Sequence, residues 1–139
     1  MNSPINLSLT EIKERLAPLV HKPGLQIVLL FGSRVSGRDY SKSDIDLGVL
    51  FDSPVDLVEI TNEVTGLLRT DRVDLVDLRR ASPLLAFSAA RQSLLLYERS
   101  AGLFNQFYSL SFRRYIDTKK LRDARKRTIE NFLKEKGLS

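Results

Sequence analysis

The chain has 139 residues, of which 42% are hydrophobic and 28% are charged, values typical of one globular domain. It contains no cysteine and one histidine, His21. Disulfide scaffolds, cysteine nucleophiles, zinc fingers and multi-histidine metal sites are therefore excluded. No apolar run approaches the roughly 20 residues that a membrane helix requires, and the N-terminal sequence lacks the pattern of a signal peptide. We expect a cytoplasmic protein that does not bind a membrane.

The positive charge is concentrated near the C-terminus. The net charge of the chain is +5, and residues 112–139 carry ten Lys or Arg against four Asp or Glu, a net of +6. The first 111 residues therefore sum to −1. A surface that binds nucleic acid would be more evenly basic, so direct nucleic-acid binding is not expected. Three interpretations of the basic segment stay open: a solvated helix, a docking element for an acidic or helical partner, and an RNA-binding surface.

The first half of the chain contains one helical pattern and two strand patterns. Apolar residues at helical spacing predict a helix over about residues 9–20, which Pro18 would kink or shorten. The apolar run at 26–31 predicts a strand buried on both faces, and Gly32 ends it. Alternation over 44–51 predicts a second strand.

The second half of the chain supplies the remaining elements. Ser53 and Pro54 are predicted to begin a helix, as its N-cap and first residue. Next come a strand over 72–78, a helix from Ser82 to about Gln92, a short strand over 94–97, and a long helix from about Ala101. This order predicts an α/β (α+β) fold, in which helices flank a small mixed β-sheet. We expect residues 1–100 to form the main domain and residues 101–139 a helical extension of the same unit, basic from about residue 112.

The strongest chemical signal is Gly32-Ser33, followed ten residues later by Asp44-Ile45-Asp46. Glycine allows a ligand to approach the backbone closely, and exposed N–H groups with the Ser33 hydroxyl can hold phosphate oxygens. Asp44 and Asp46 are two apart on a strand, so both carboxylates point to one face and repel unless a cation lies between them. Carboxylate oxygens suit Mg²⁺ or Mn²⁺.

A third carboxylate is available on the next predicted strand. Asp74 or Asp77 could reach the same cations if the two strands are neighbours, and side-chain alternation allows only one of them to face the site. An acidic pair, a phosphate-holding turn and a third acid together predict a two-metal site for phosphoryl or nucleotidyl transfer. One cation would activate an attacking hydroxyl, and the other would bind the triphosphate.

The segment GSRVSGRDYSKSDIDLGVL, which begins at Gly32, resembles the nucleotidyltransferases of the DNA polymerase β superfamily. More narrowly, it is similar to the minimal nucleotidyltransferase (MNT) domains. The resemblance covers roughly residues 9–97, and implies that residues 1–100 are a nucleotidyltransferase domain with the polymerase-β-like fold.

The same resemblance implies roles for individual residues. Gly32 and Ser33 would engage the nucleotide phosphates, and Asp44 and Asp46 would bind metal. The family pattern places the third metal-binding carboxylate at Asp74, with Asp77 as the alternative. The loop residues Arg34, Lys42 and Ser43 are further candidates for nucleotide binding.

Small standalone members of the family resemble the antitoxins of HEPN–MNT toxin–antitoxin pairs. This implies Mg²⁺- or Mn²⁺-dependent transfer of AMP from ATP to a tyrosine hydroxyl of a partner HEPN ribonuclease toxin. The short chain fits, because a partner must then present the acceptor. Two alternatives stay open. One is nucleotidyl transfer to a small molecule, as in aminoglycoside nucleotidyltransferases; the other is a non-catalytic antitoxin that neutralises by binding. The clustered carboxylates favour an enzyme.

Overall fold

The computed structural model describes residues 7–32 and 44–137 of the chain. In chain order these residues form α1 (Leu9–Leu16), a short 3₁₀ helix (Ala17–His21), β1 (Leu25–Phe31), β2 (Ile45–Phe51), α2 (Leu57–Leu68), β3 (Val73–Asp77), α3 (Pro83–Arg91), β4 (Ser93–Glu98) and α4 (Leu103–Glu135). The candidate site residues Ser33, Arg34, Lys42 and Ser43 lie outside the described residues.

The four strands form one sheet in the order β3-β2-β1-β4. β1 runs antiparallel to both of its neighbours, β2 and β4, whereas β2 and β3 run parallel to each other. The predicted α/β fold is therefore confirmed, with its small mixed sheet, flanking helices and long C-terminal helix.

The sheet separates two apolar layers, because the central strands bury side chains on both faces. The layer formed with α1 and α2 includes Ile12, Leu16, Val28, Leu30, Ile45, Leu47, Val49, Ile60, Val64 and Leu68. The layer formed with α3 and α4 includes Ile27, Leu29, Leu78, Ala86, Ala89, Ala90 and Phe107. Side chains alternate along β2, so Leu50, which packs in the second layer, shares its face with Gly48 and Asp46.

The first helix is shortened, as Pro18 predicts. α1 ends at Leu16, and the chain continues as a 3₁₀ helix with Pro18 in its first turn. Proline has no N–H to donate and its ring opposes continuation of an α-helix, but the first turn of a helix accepts it.

The predicted start of the second helix is wrong. α2 begins at Leu57, with Asp56 and not Ser53 as its N-cap. One carboxylate oxygen of Asp56 accepts hydrogen bonds from the backbone N–H groups of Val58 and Glu59, at 3.0 and 3.4 Å. A carboxylate satisfies two free N–H groups and is also attracted by the positive end of the helix dipole, so it is the better cap. In α3, by contrast, Ser82 is the N-cap as predicted.

The last helix, α4, has 33 residues and is about 50 Å long at 1.5 Å per residue. Its buried residues are Phe107 and Ser111, both in its first third. In the part of the chain that the structure describes, no helix combines the length and the apolar character needed to cross a membrane.

Candidate active site

Gly32 and Asp46 come together where β1 ends and β2 begins. The antiparallel register pairs Phe31 with Asp46, so the next residue along the chain, Gly32, lies beside that carboxylate. Gly32 has a φ angle of +87°, and a Cβ atom built on it would overlap the carboxylate of Asp46. This position therefore requires glycine for two reasons, because a side chain would be strained by the backbone angle and would have no space.

Asp74 lies directly beside Asp46 on the neighbouring strand. The parallel register of β2 and β3 pairs Asp46 with Asp74, and neighbouring strands are about 4.8 Å apart. Paired residues of adjacent strands point to the same face of a sheet. Asp46 is half-buried and Asp74 is exposed, so the two carboxylates lie together at a solvent-accessible end of the sheet.

Asp77 lies on the opposite face of β3. It is three residues beyond Asp74, is 8% exposed, and pairs with Val49 of β2. One of its carboxylate oxygens accepts a hydrogen bond from the backbone N–H of Arg79 at 3.1 Å. Asp77 therefore stabilises the turn that follows β3 and is separated by the sheet from Asp46.

Asp44 lies one residue before β2 and is held by Arg72. The Asp44 carboxylate accepts a hydrogen bond from the Nε atom of Arg72 at 3.2 Å, and their side chains are 58% and 38% exposed. Arg72 was missed in the sequence analysis. Its spacing from Asp74 could have predicted that it lies near the carboxylates, because residues two apart on a strand share a face.

The donor set suits a divalent cation. Asp44, Asp46 and Asp74 supply carboxylate oxygens from one end of two adjacent strands, and hard oxygen donors are the ligands that Mg²⁺ prefers. Within residues 7–32 and 44–137, no three acidic or histidine side chains are already gathered as a metal-ligand cluster. Asp44 is instead paired with Arg72, so its carboxylate would exchange a guanidinium partner for a metal.

Known proteins match most of the chain. The family described as polymerase beta, nucleotidyltransferase, matches residues 12–102. The chain is 31% identical to the protein adenylyltransferase MntA of Aphanizomenon flos-aquae, over 94% of this chain and 96% of that protein. It is also 38% identical to the protein adenylyltransferase MntA of Shewanella oneidensis, over 54% of this chain and 55% of that protein.

Solved structures extend the similarity to three dimensions. A chain of a toxin–antitoxin crystal structure with AMP-PNP superposes with a TM-score of 0.69 at 29% identity, over 91% of this chain and 99% of that chain. A chain from the complex of a tri-AMPylated Shewanella oneidensis HEPN toxin with its MNT antitoxin superposes with a TM-score of 0.66 at 26% identity, over 89% and 98%. From its sequence match, its fold and the place of its carboxylates, the chain belongs to the polymerase β nucleotidyltransferase family, and within it to the MntA protein adenylyltransferases.

Proposed function

We propose that this protein transfers AMP from ATP to a tyrosine hydroxyl of a HEPN ribonuclease toxin in the cytoplasm, and thereby acts as the antitoxin. The observation that carries the proposal is the contact of Gly32 with Asp46, with Asp74 in register beside it. The relative that matches over nearly the whole chain is a protein adenylyltransferase. The similar solved structures contain an ATP analogue in one case and an AMPylated HEPN toxin in another.

The chemistry exchanges a phosphoanhydride bond of ATP for a phosphodiester bond to the tyrosine. The tyrosine oxygen forms a bond to the α-phosphorus of ATP while the bond between that phosphorus and the bridging oxygen of the β-phosphate breaks. Pyrophosphate leaves, and the hydroxyl proton is released. Mg²⁺ or Mn²⁺, if held by the carboxylates, would supply charge neutralisation for the triphosphate and favour the deprotonated acceptor.

The residues of the chain position these groups. Asp44, Asp46 and Asp74 would hold the metal. Arg72 compensates the charge of Asp44, which limits carboxylate repulsion before a metal binds. Gly32 leaves room for the Asp46 carboxylate against the backbone. Ser33, Arg34, Lys42 and Ser43, which follow Gly32 and precede Asp44 in the sequence, would hold the triphosphate.

Mass spectrometry of the toxin tests this proposal. After incubation with the protein, ATP and Mg²⁺, the toxin should gain mass in whole multiples of one AMP, and it should stay inactive once the antitoxin is removed. D46N should abolish the gain, because Asp46 lies at the centre of the carboxylate group. E14Q, which neutralises an exposed carboxylate on α1, should leave it unchanged.

Two results would contradict the proposal. Full transfer by D46N would exclude the carboxylate site. Neutralisation without ATP that ends when the two proteins are separated would identify an antitoxin that acts by binding alone.

A further inference from the structure

α4 continues well beyond the domain on which it packs. Its last aromatic contact with the domain is Tyr115, whose ring stacks on Phe87 with the centroids 4.8 Å apart. The guanidinium of Arg122 then lies 5.0 Å from the ring centroid of Tyr115. Among residues 119–137, every residue is exposed except Arg122 and Leu133, which are half-buried. Residues 119–135, named here the distal segment, therefore lack the tertiary packing from which a helix usually draws its stability.

The distal segment carries an exposed apolar stripe. Leu121, Ile129 and Phe132 are 62%, 59% and 55% exposed. They follow Phe107, which packs in the domain, by 14, 22 and 25 residues. At 3.6 residues per turn these spacings are about four, six and seven whole turns, so all three side chains lie on the face that Phe107 presents to the sheet. The face of α4 that is buried in the domain thus continues past the end of the domain, which indicates a further apolar surface that covers it.

The net charge of the distal segment indicates which kind of partner surface would cover the apolar stripe. The distal segment contains seven Lys or Arg and three Asp or Glu, a net of +4. A second copy of the same segment would be repelled. A nucleic acid would be attracted to the charge but gains little from a leucine and isoleucine stripe, because single strands bind by stacking on aromatic rings. An acidic protein surface satisfies both features, since its apolar centre covers the stripe and its carboxylates pair with the flanking cations.

The docking face and the carboxylates lie on the same side of the sheet. Phe107 belongs to the same buried layer as Ile27 and Leu29, against which Leu50 and Val76 also pack. Asp46 and Asp74 share a strand face with Leu50 and Val76, respectively, by alternation. A partner seated on α4 is therefore held on the side of the sheet where its acceptor hydroxyl must arrive, which raises the effective concentration of that hydroxyl.

We propose that the distal segment is a docking helix for the HEPN toxin, which seats the stripe of Leu121, Ile129 and Phe132 on an apolar helical surface bordered by Asp and Glu. The identity of this partner rests on the proposed function, whereas the class of surface rests on the stripe and the charge.

The test is a comparison of full-length variants against the toxin. L121S/I129S/F132S should weaken binding at least tenfold by calorimetry, and should raise KM for the toxin in the AMP-transfer assay with little change in kcat. The charge reversal R125E/K126E keeps the apolar stripe and uses a strong helix former, so it tests the acidic border without removing the helix. It should weaken binding and reduce its dependence on salt.

The matched control is V58S, which removes an apolar side chain that is 69% exposed on α2, on the other layer.

Hydrogen exchange gives a second readout that does not depend on the variants. The amides of the distal segment should exchange quickly in the free protein and slowly in the complex. Unchanged affinity, unchanged KM and unchanged exchange would overturn the docking proposal. Binding of a 20-nucleotide RNA that is lost in the triple variant, or a wild-type dimer that the triple variant abolishes, would overturn it in favour of the other occupants. Absence of AMP transfer by the wild type would instead contradict the proposed function. The binding and exchange measurements would still test whether the distal segment is a docking helix.

Discussion

At the scale of single residues, Gly32 is the position where the smallest change should have the largest effect on activity. G32A places a methyl group against the Asp46 carboxylate at a φ angle of +87°. The strained backbone should cost about 1–2 kcal/mol of unfolding free energy, and displacement of Asp46 should reduce AMP transfer by more than tenfold. Urea unfolding and the mass assay on the toxin measure the two effects.

G66A is the control for that substitution. Gly66 lies inside α2, and a Cβ atom built on it meets nothing within 4 Å. The added methyl group should stabilise the protein by about 0.5–1 kcal/mol without changing activity, because alanine is the better helix former. A G32A protein that is as stable and as active as the wild type would show that Gly32 does not contact Asp46 in the working enzyme.

Substitutions of Asp74 and Asp77 should have opposite effects, with the first lowering activity and the second lowering stability. D74A removes an exposed carboxylate beside Asp46, so AMP transfer should fall strongly while the unfolding midpoint changes little. D77A leaves the backbone N–H of Arg79 without its buried acceptor, which should cost about 1–2 kcal/mol. The turnover of its folded fraction should remain close to that of the wild type. Paired assays of urea unfolding and AMP transfer test both, and the reverse order of effects would place the third catalytic carboxylate at Asp77.

At the scale of elements, Lys22 joins the end of the 3₁₀ helix to α2. Its Nζ atom lies 2.7 Å from a carboxylate oxygen of Glu63 and 3.7 Å from one of Glu59. The hydrogen bond to Glu63 is the main cause that raises the pKa of Lys22 above its ordinary value of 10.5. A lysine whose pKa is raised by folding contributes stability below the unfolded pKa, and this stability is lost as pH rises through the folded pKa.

K22Q should therefore lower the unfolding free energy by about 0.5–1 kcal/mol at neutral pH, the usual range for a partly exposed ion pair. The difference from the wild type should stay constant up to about pH 10 and shrink above it. Urea titrations from neutral to alkaline pH measure this difference. K13Q, at an exposed residue of α1, should show no such dependence. If the difference in unfolding free energy between the wild type and K22Q persists at alkaline pH, the ion pair is not the cause of that difference.

At the scale of the whole molecule, one face of the sheet is acidic at one end of β2 and mainly apolar at the other. Asp46 stands at one end of that face, with Asp74 beside it. At the other end, an open groove of about 790 Å³ is lined by Leu50, by side chains of α3 and α4, and by Arg79 and Arg114. The first third of α4 packs on the apolar part of this face. The same helix thus completes the second layer and carries a positively charged segment away from the domain.

The sequence alone determined the features that depend on neighbours along the chain. The buried strand that ends at Gly32, the paired Asp44 and Asp46, and the Ser82 cap are local patterns, because strand alternation and helix capping act over a few residues. These patterns also carried the resemblance to the nucleotidyltransferases, which the match over residues 12–102 confirms. The concentration of positive charge near the C-terminus followed from counting charged residues along the sequence.

The tertiary structure alone decided which distant residues meet. Asp74 lies beside Asp46, and Arg72 pairs with Asp44, because β2 and β3 are parallel neighbours in one register. A shift of one residue would turn Asp74 to the other face, and strand register is set by packing between strands that are far apart in sequence. The same limit applies to α2, because Ser53 and Asp56 are both acceptable caps by residue type, and only the structure shows that the helix begins after Asp56. It also applies to α4, because the helical pattern predicts its apolar face, but only the size of the domain decides where that face stops being covered.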